Sequence, residues 1–318
     1  MVTNKELQKA KNNKKDEFYT QLSDIEKEME YHKESFKDKI ILCNCDRPLQ
    51  SSFWKYFHQH FKELGLKKLI SIHYDSEKPS YKLEYSGGND ICYHSGELYY
   101  LKGNGDFRSE ESIEALKEAD IVVTNPPFSL FREYISQLVK YDKKFLIVGN
   151  MNAITCKEVF PLIRDNKLWY GASIHSGDRK FYVPDDYPLM ASTCGIDEEG
   201  KRFVRVKGVR WFTNLDYSSR HTPIKLINKY NPEEYPVYEN YDAINVNKYS
   251  QIPNDYEGIM GAPITLLDYY CPEQFKILGI SASWDETDVM KKIKTSNKHR
   301  HVPILNGKEI YRRIFIKK

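Results

Sequence analysis

Asn125-Pro126-Pro127-Phe128 cuts off an apolar run, Ile121-Val122-Val123, just before a helix-like segment. Proline at 126 pushes Asn125 out of the helical region, and the second proline stiffens the next step. Neither proline carries an N–H, so the turn presents carbonyl oxygens with no competing donor beside them. With the Asn125 side-chain oxygen, two acceptors can converge on one –NH₂ group, and Phe128 offers a flat ring on which a heteroaromatic ring could stack. Such a grip suits chemistry on an exocyclic amine like that of adenine, whose lone pair is delocalised into its ring. Drawing the nitrogen toward tetrahedral geometry frees the lone pair to attack a methyl donor, and the proton leaves afterwards. The gain comes from fixed dipoles and in-line positioning, without a strong base or a covalent intermediate.

Other chemistry is poorly supported. The six cysteines (43, 45, 92, 156, 194 and 271) include one close pair, Cys43 and Cys45, with no second pair to complete a zinc site. The histidines form no HExxH or HxxxH pair, and His58 and His60 point to different faces of a helix, so no metal site is expected. The net charge is only +3, but its distribution is uneven. Residues 201–210, "KRFVRVKGVR", carry five Lys/Arg and no acid, and residues 291–318 carry ten against one acid. Basic clusters among aromatics suit a polyanion such as nucleic acid, although each charge taken singly also suits a solvated face.

The elements that must hold the turn can be read from the pattern. Residues 4–35 look helical and mostly polar. "KIILCNC" (39–45) is a strand candidate, and "SSFWKYFHQHFKEL" (51–64) a serine-capped helix. "KKLISIHY" (67–74) is a second strand, followed by a polar, glycine-bearing excursion to about residue 105. A short helix opens at Ser109 with Ser109 and Ser112 as caps, and the 121–124 strand, the turn, and a helix from Ser129 to about Lys140 follow. "KKFLIVGN" (143–150) is another strand and "KEVFPLIRDN" another helix, kinked at Pro161. "LWYGASIH" and "VRWFTNLD" read as further strands. From about residue 220 the chain is rich in Pro, Asn and Tyr with few clear periods. Alternating strands and helices predict an α/β class with a largely parallel sheet, helices on both faces, and a smaller, irregular C-terminal region. Ligands of such sheets sit at the carboxyl ends of the strands, where Cys45-Asp46, Tyr74-Asp75 and Asn125–Phe128 fall.

"TNPPF" resembles the catalytic motif of amino-methyltransferases that use S-adenosylmethionine. The longer run "GDFRSEESIEALKEADIVVTNPPFSLFREYI", with "DEFYTQ", "CNCDRP", "YDKKFLIVGN", "WFTNLD", "YDAINVNK" and "PEQF", resembles the EcoRI-type adenine-N6 DNA methyltransferases over nearly the whole chain. The resemblance implies a Rossmann-like methyltransferase sheet in a catalytic domain of residues 1–218 and a target-recognition region of residues 219–318. It also implies S-adenosylmethionine as cofactor. Phe18, Tyr19 and Thr20 would wall the cofactor pocket, and Asp46, with Cys45 beside it, would approach the methionine part. Asp106 and Phe107 would hold the adenine end, and Asn125 would border cofactor and target alike. The acid for the ribose hydroxyls would be Asp75, with Glu77 also close. A glycine-rich loop common in methyltransferases is replaced here by Cys43-Asn44-Cys45-Asp46-Arg47-Pro48; the EcoRI-type proteins share that kind of substitution.

The implied reaction is methylation of adenine N6 in duplex DNA by Asn125, Pro126, Pro127 and Phe128, with the target base flipped out of the stack. Lys201, Arg202, Arg205, Lys207 and Arg210 would contact phosphates. A restriction–modification setting, a GAATTC site, a cognate endonuclease that is not a stable subunit, a monomeric state and a cytoplasmic location complete the expectation. No membrane-spanning run or signal peptide is visible. Two rivals are methylation of a protein glutamine amide, which suits the same grip, and a DNA-binding module with a vestigial cofactor fold. Intact NPPF, DEFYT and GDF segments argue against decay.

Overall fold

The computed structural model describes residues 18–318 except 46, 76–79, 89–91, 93–94, 186, 190–191 and 296–300. In chain order the elements are β1 (Tyr19–Thr20), α1 (Leu22–Met29), β2 (Ile40–Cys43), α2 (Ser52–Gln59), β3 (Lys68–Ile72), β4 (Tyr81–Tyr85), β5 (Glu97–Tyr100), α3 (Glu110–Glu118), β6 (Ile121–Thr124), α4 (Phe131–Lys140) and β7 (Lys144–Asn150). They continue as α5 (Phe160–Arg164), β8 (Trp169–Tyr170), β9 (Asp178–Tyr182), β10 (Cys194–Ile196), β11 (Arg202–Lys207), β12 (Val209–Thr213), β13 (Ile244–Asn245), β14 (Met260–Pro263), β15 (Lys276–Ile280), α6 (Asp288–Ile293), β16 (Ile304–Leu305), β17 (Lys308–Glu309) and β18 (Arg313–Lys317). The chain divides into two compact units, Met1–Ala153 with Gly171–Asp216, and Ile154–Tyr170 with Tyr217–Lys318.

In the first unit the main sheet runs β5-β4-β3-β2-β6-β7-β12. Its centre, β3-β2-β6-β7, is parallel, and β4, β5 and β12 add to it antiparallel. Every residue of β2 and β6 is buried, the signature of a sheet covered on both faces. Helix α4 buries Phe131, Tyr134, Ile135 and Leu138, spaced for one helical face. Ser51 caps α2 by accepting from Phe53 N and Trp54 N (3.2 and 3.3 Å), and Ser109 caps α3 through Ser112 N (3.3 Å). The mixed α/β class is as the sequence predicts.

A second sheet of the same unit, β1-β9-β11-β10, is antiparallel. It corrects the helical reading of residues 4–35, the first part of which lies outside the described residues. Tyr19 and Thr20 pair with Tyr182 and Phe181 instead of joining α1, because their aromatic and β-branched side chains fit a ladder supplied from far along the chain. The excursion after β3 likewise contains the β4–β5 hairpin. Buried Glu28 on α1 accepts from Ala172 N (2.8 Å) and Ser173 N (2.7 Å) and contacts His32 (3.1 Å). A Cβ on Gly171 would lie 2.1 Å from that carboxylate, so only glycine lets the backbone come so close.

The second unit is less irregular than its composition suggests. It holds the sheet β13-β14-β18-β15 and the β16–β17 hairpin. Pro161 stands in the first turn of α5, where a missing N–H leaves no bond unmade, and starts the helix instead of kinking it. The basic stretch 291–318 is no free tail among the described residues, since β18 lies between β14 and β15 with Ile314, Phe315 and Ile316 fully buried. No helix of the described residues is long and apolar enough to cross a membrane.

Candidate active site

The parallel strands β2, β3, β6 and β7 end at one edge of the main sheet, and the predicted residues cluster there. Asn125 follows β6 directly and is 6% exposed. Its Nδ2 donates to the Phe18 carbonyl at 2.6 Å, which fixes the amide and leaves Oδ1 buried with no hydrogen-bond partner. A buried acceptor without a partner is unfavourable unless a ligand supplies the donor. Pro126 is buried and Pro127 half-buried. The Pro127 carbonyl accepts from Leu130 N (2.9 Å), closing a 3₁₀ turn over Phe128–Leu130. Of the two proline carbonyls, that of Pro127 is thus engaged within the turn itself.

Phe128 is half-buried and stands edge-on to Phe18 (centroids 5.6 Å) and Phe181 (6.2 Å). Phe18 in turn faces Phe181 at 5.8 Å and Tyr187 at 6.2 Å. Thus Phe18, just before β1, brings both a ring and a carbonyl to the turn, and Thr20 on β1 is buried with its Oγ1 unpartnered.

Past β2, Asn44 is 2% exposed; its Oδ1 accepts from the Tyr134 hydroxyl, and its Nδ2 has no partner. Burial holds the Tyr134 hydroxyl well above the ordinary tyrosine range, so it stays a donor. Tyr134 also packs edge-on to buried Phe107 (5.1 Å), whose carbonyl accepts from Gln137 Nε2 (3.0 Å) while Gln137 Oε1 is left unpartnered. Cys45 is half-buried beside Asn44 (Sγ–Oδ1 3.6 Å). Asp46 and Glu77 lie outside the described residues.

The loop Gly103–Phe107 closes over the end of β3. Gly105 has φ +73°, and a Cβ there would lie 1.9 Å from the His73 carbonyl oxygen. Asp75 donates its N–H to the Asn104 carbonyl (2.9 Å), and its carboxylate lies 3.7 Å from His73 Nε2. Burial first, then the Arg47 charge, lowers the His73 pKa to about 4 against the opposing pull of Asp75. Asp106 accepts from Arg108 N (2.9 Å), Nε (2.8 Å) and NH2 (2.7 Å), and that guanidinium holds its carboxyl below the usual range. Its oxygens are engaged by a neighbour, whereas Thr20, Asn44, Thr124, Asn125 and Gln137 are among the residues with a buried polar atom that has no partner. Such a donor and acceptor set fits a polar ligand with aromatic parts. Among the described residues no group of three or more His, Cys, Asp or Glu is placed to hold a metal ion.

A family model described as "Adenine-specific methyltransferase EcoRI" matches residues 6–318. The chain belongs to this family. Among curated proteins it is 47% identical to Type II methyltransferase M.EcoRI of Escherichia coli, over 99% of this chain and 97% of that protein. It is 38% identical to M.MpnI of Mycoplasma pneumoniae, over 97% of this chain and 96% of the relative, and 38% identical to M.MgeORF184P of Mycoplasma genitalium, over 98% and 96%. No solved structure matches. The chain is therefore an adenine-specific methyltransferase, and use of S-adenosylmethionine is general for such enzymes.

In this EcoRI-family chain the basic residues of 201–210 divide by alternation along β11 and by strand, Arg210 lying on the wholly buried β12. Arg205 and Lys207 are exposed on β11, Lys201 is exposed just before it, and Arg202 is half-buried with NH1 on the Tyr187 carbonyl (3.2 Å). Arg210 is 3% exposed and gives its guanidinium to the carbonyls of Val209 (2.8 Å) and His175 (2.5 Å). Sequence reasoning passed over Asn44, Tyr134 and Gln137. The amide between two cysteines at a strand end was the available signal for Asn44, and Tyr134 and Gln137 are indistinguishable in sequence from ordinary residues of an amphipathic helix.

Proposed function

We propose that the enzyme methylates N6 of an adenine flipped out of duplex DNA, as the modification half of a restriction–modification pair. The observation that carries this reading is the Asn125 amide, held by the Phe18 carbonyl so that a buried Oδ1 waits for a donor. In the reaction proposed, Asn125 Oδ1 and the Pro126 carbonyl accept the two N6 hydrogens, and Phe128 stacks on the purine. S-adenosylmethionine, when bound, supplies an electrophilic methyl on a sulfonium. The N–C bond forms as the S–C bond breaks, and the extra N–H proton leaves to water. Phe18, Tyr19, Thr20, Cys45, Asp46, Asp75, Asp106 and Phe107 are assigned to the cofactor. For Asp106 this means an adenine contact through an oxygen lone pair that Arg108 leaves over, which makes Phe107 the firmer member of that pair. Catalysis in the aromatic box requires unstacking the base, a step of a few kcal/mol.

Residues 1–218 are read as a Rossmann-like catalytic domain and 219–318 as the target-recognition region. Lys201, Arg202, Arg205 and Lys207 are assigned to phosphates; Arg210, buried and hydrogen-bonded to backbone, is assigned to the scaffold. The recognition sequence carried over from the family resemblance is GAATTC. A monomer in the cytoplasm, sharing its site but no stable complex with an endonuclease, suffices for methylating one strand at a time.

The test is incubation of plasmid with enzyme and labelled S-adenosylmethionine, then digestion to nucleosides. Label in N6-methyldeoxyadenosine, with protection from cleavage at GAATTC, is the expected outcome. Label on protein glutamine, or DNA retention without label, contradicts it.

A further inference from the structure

Within the unit built from Ile154–Tyr170 and Tyr217–Lys318, a cavity of about 240 Å³ is lined by Glu234, Tyr235, Asn245, Asn247 and Gln251. Every one of these side chains carries a hydrogen-bonding group, and three are carboxamides. Asn245, on β13, is 2% exposed. Its Oδ1 accepts from the Tyr238 hydroxyl (2.8 Å) and Arg313 Nε (3.4 Å), and its Nδ2 donates to Asn247 Oδ1 (2.9 Å). The donors on its oxygen fix which way the Asn245 amide faces. The next amide is fixed in turn, because Asn247, with its oxygen already accepting, has its –NH₂ left for a partner. Tyr238 is held tightly beneath: a Cβ on Gly261 would lie 2.5 Å from its ring. On the far side the Tyr235 hydroxyl donates to the Gln251 carbonyl (2.8 Å), which pins the backbone of Gln251 while its side chain stays exposed.

We propose that this cavity reads the major-groove edge of an A·T pair in the recognition duplex, with Asn247 and Gln251 as specificity-determining residues. The proposal rests on the DNA-methylating reading above. Adenine presents an N7 acceptor beside an N6 donor, which one carboxamide can engage with both its groups, and thymine adds the O4 acceptor. Gln251 supplies the two-sided amide and Asn247 the donor for O4. A G·C pair would set guanine O6 and N7, both acceptors, against the Gln251 carbonyl, leaving a polar group without its partner. The Glu234 carboxylate oxygens on its side disfavour an acceptor edge and admit an amino group. The chain from half-buried Arg313 and buried Tyr238 through Asn245 orients the Asn247 amide, while Gln251, held by its backbone, discriminates through pairing one donor and one acceptor with the adenine edge.

The test is a matrix of initial rates. Wild type, Asn247→Ala and Gln251→Ala methylate a panel of duplexes in which each base pair of the methylated site is replaced in turn. Each variant is expected to lose about 5- to 150-fold in kcat/KM on the intact site and to lose discrimination at one A·T position. Melting temperature and S-adenosylmethionine binding should match wild type for Gln251→Ala, whose side chain is exposed. Asn247→Ala also removes the acceptor of buried Asn245 Nδ2, so Asn247→Asp, which keeps that acceptor and loses only the donor, should show the same loss of discrimination. If the variants keep the wild-type pattern of preference at every position, or weaken it evenly, the cavity does not read sequence. If wild type methylates no duplex at all, the DNA reading itself falls, and the matrix separates the two failures.

Discussion

At the scale of single residues the central device is a carbonyl that orients an amide. Phe18 was expected only to wall the cofactor pocket; its backbone oxygen also accepts from Asn125 Nδ2 and so settles which end of that amide faces outward. Nothing in the sequence links positions 18 and 125, so the partnership is visible only in the fold. His73 supplies a pH prediction at this scale. It is 5% exposed, faces Arg47, Asp75 and Tyr81, and its pKa is lowered to about 4. A base whose folded pKa lies below its unfolded value of about 6.5 stabilises the fold above that pH. That contribution, on the order of 2–3 kcal/mol, is lost as pH falls from about 6.5 to about 4. Melting temperature measured across that window should therefore drop, and His73→Gln should flatten the drop. Parallel curves for the two proteins would show that His73 is not its source.

At the scale of elements, the parallel strands, their caps and the NPPF turn were legible because each rests on local chemistry: an all-apolar run, a serine at a helix start, paired prolines. Strands β1, β4, β5, β9–β11 and β13–β18 were not. Tyr19–Thr20 is too short to show a period, and Met260-Gly261-Ala262-Pro263 has none, so their ladders are set by partners distant in sequence. The Gly103–Phe107 loop shows how such an element positions the site. Gly105 combines a φ of +73° with a Cβ position 1.9 Å from the His73 carbonyl. Gly105→Ala should destabilise the protein by at least about 1–3 kcal/mol from backbone strain and weaken S-adenosylmethionine binding more than DNA binding. Calorimetric titration with each ligand checks this; equal losses would detach the loop from the cofactor.

At the scale of the whole molecule, charge is what the sequence located best and interpreted least. The 291–318 stretch looked like a basic tail, yet its last strand is a central member of a sheet, because the apolar run Ile314-Phe315-Ile316, which the charge count masked, is buried on both faces. Along β11 the cluster 201–210 exposes its charges only at alternate positions, since a strand turns every second side chain inward. If Arg205 and Lys207 neutralise phosphates, the logarithm of DNA affinity should fall with the logarithm of salt less steeply in each alanine variant, by about one unit of slope per residue. Arg210→Ala should act on stability instead.

The account turns on the Asn125 oxygen gripping the target amine. Single-turnover methyl transfer by Asn125→Ala, measured with DNA and S-adenosylmethionine both saturating, tests that grip alone. The account predicts a rate reduced by about 10²–10³-fold or more, with cofactor affinity near that of wild type. Transfer at the wild-type rate would contradict it.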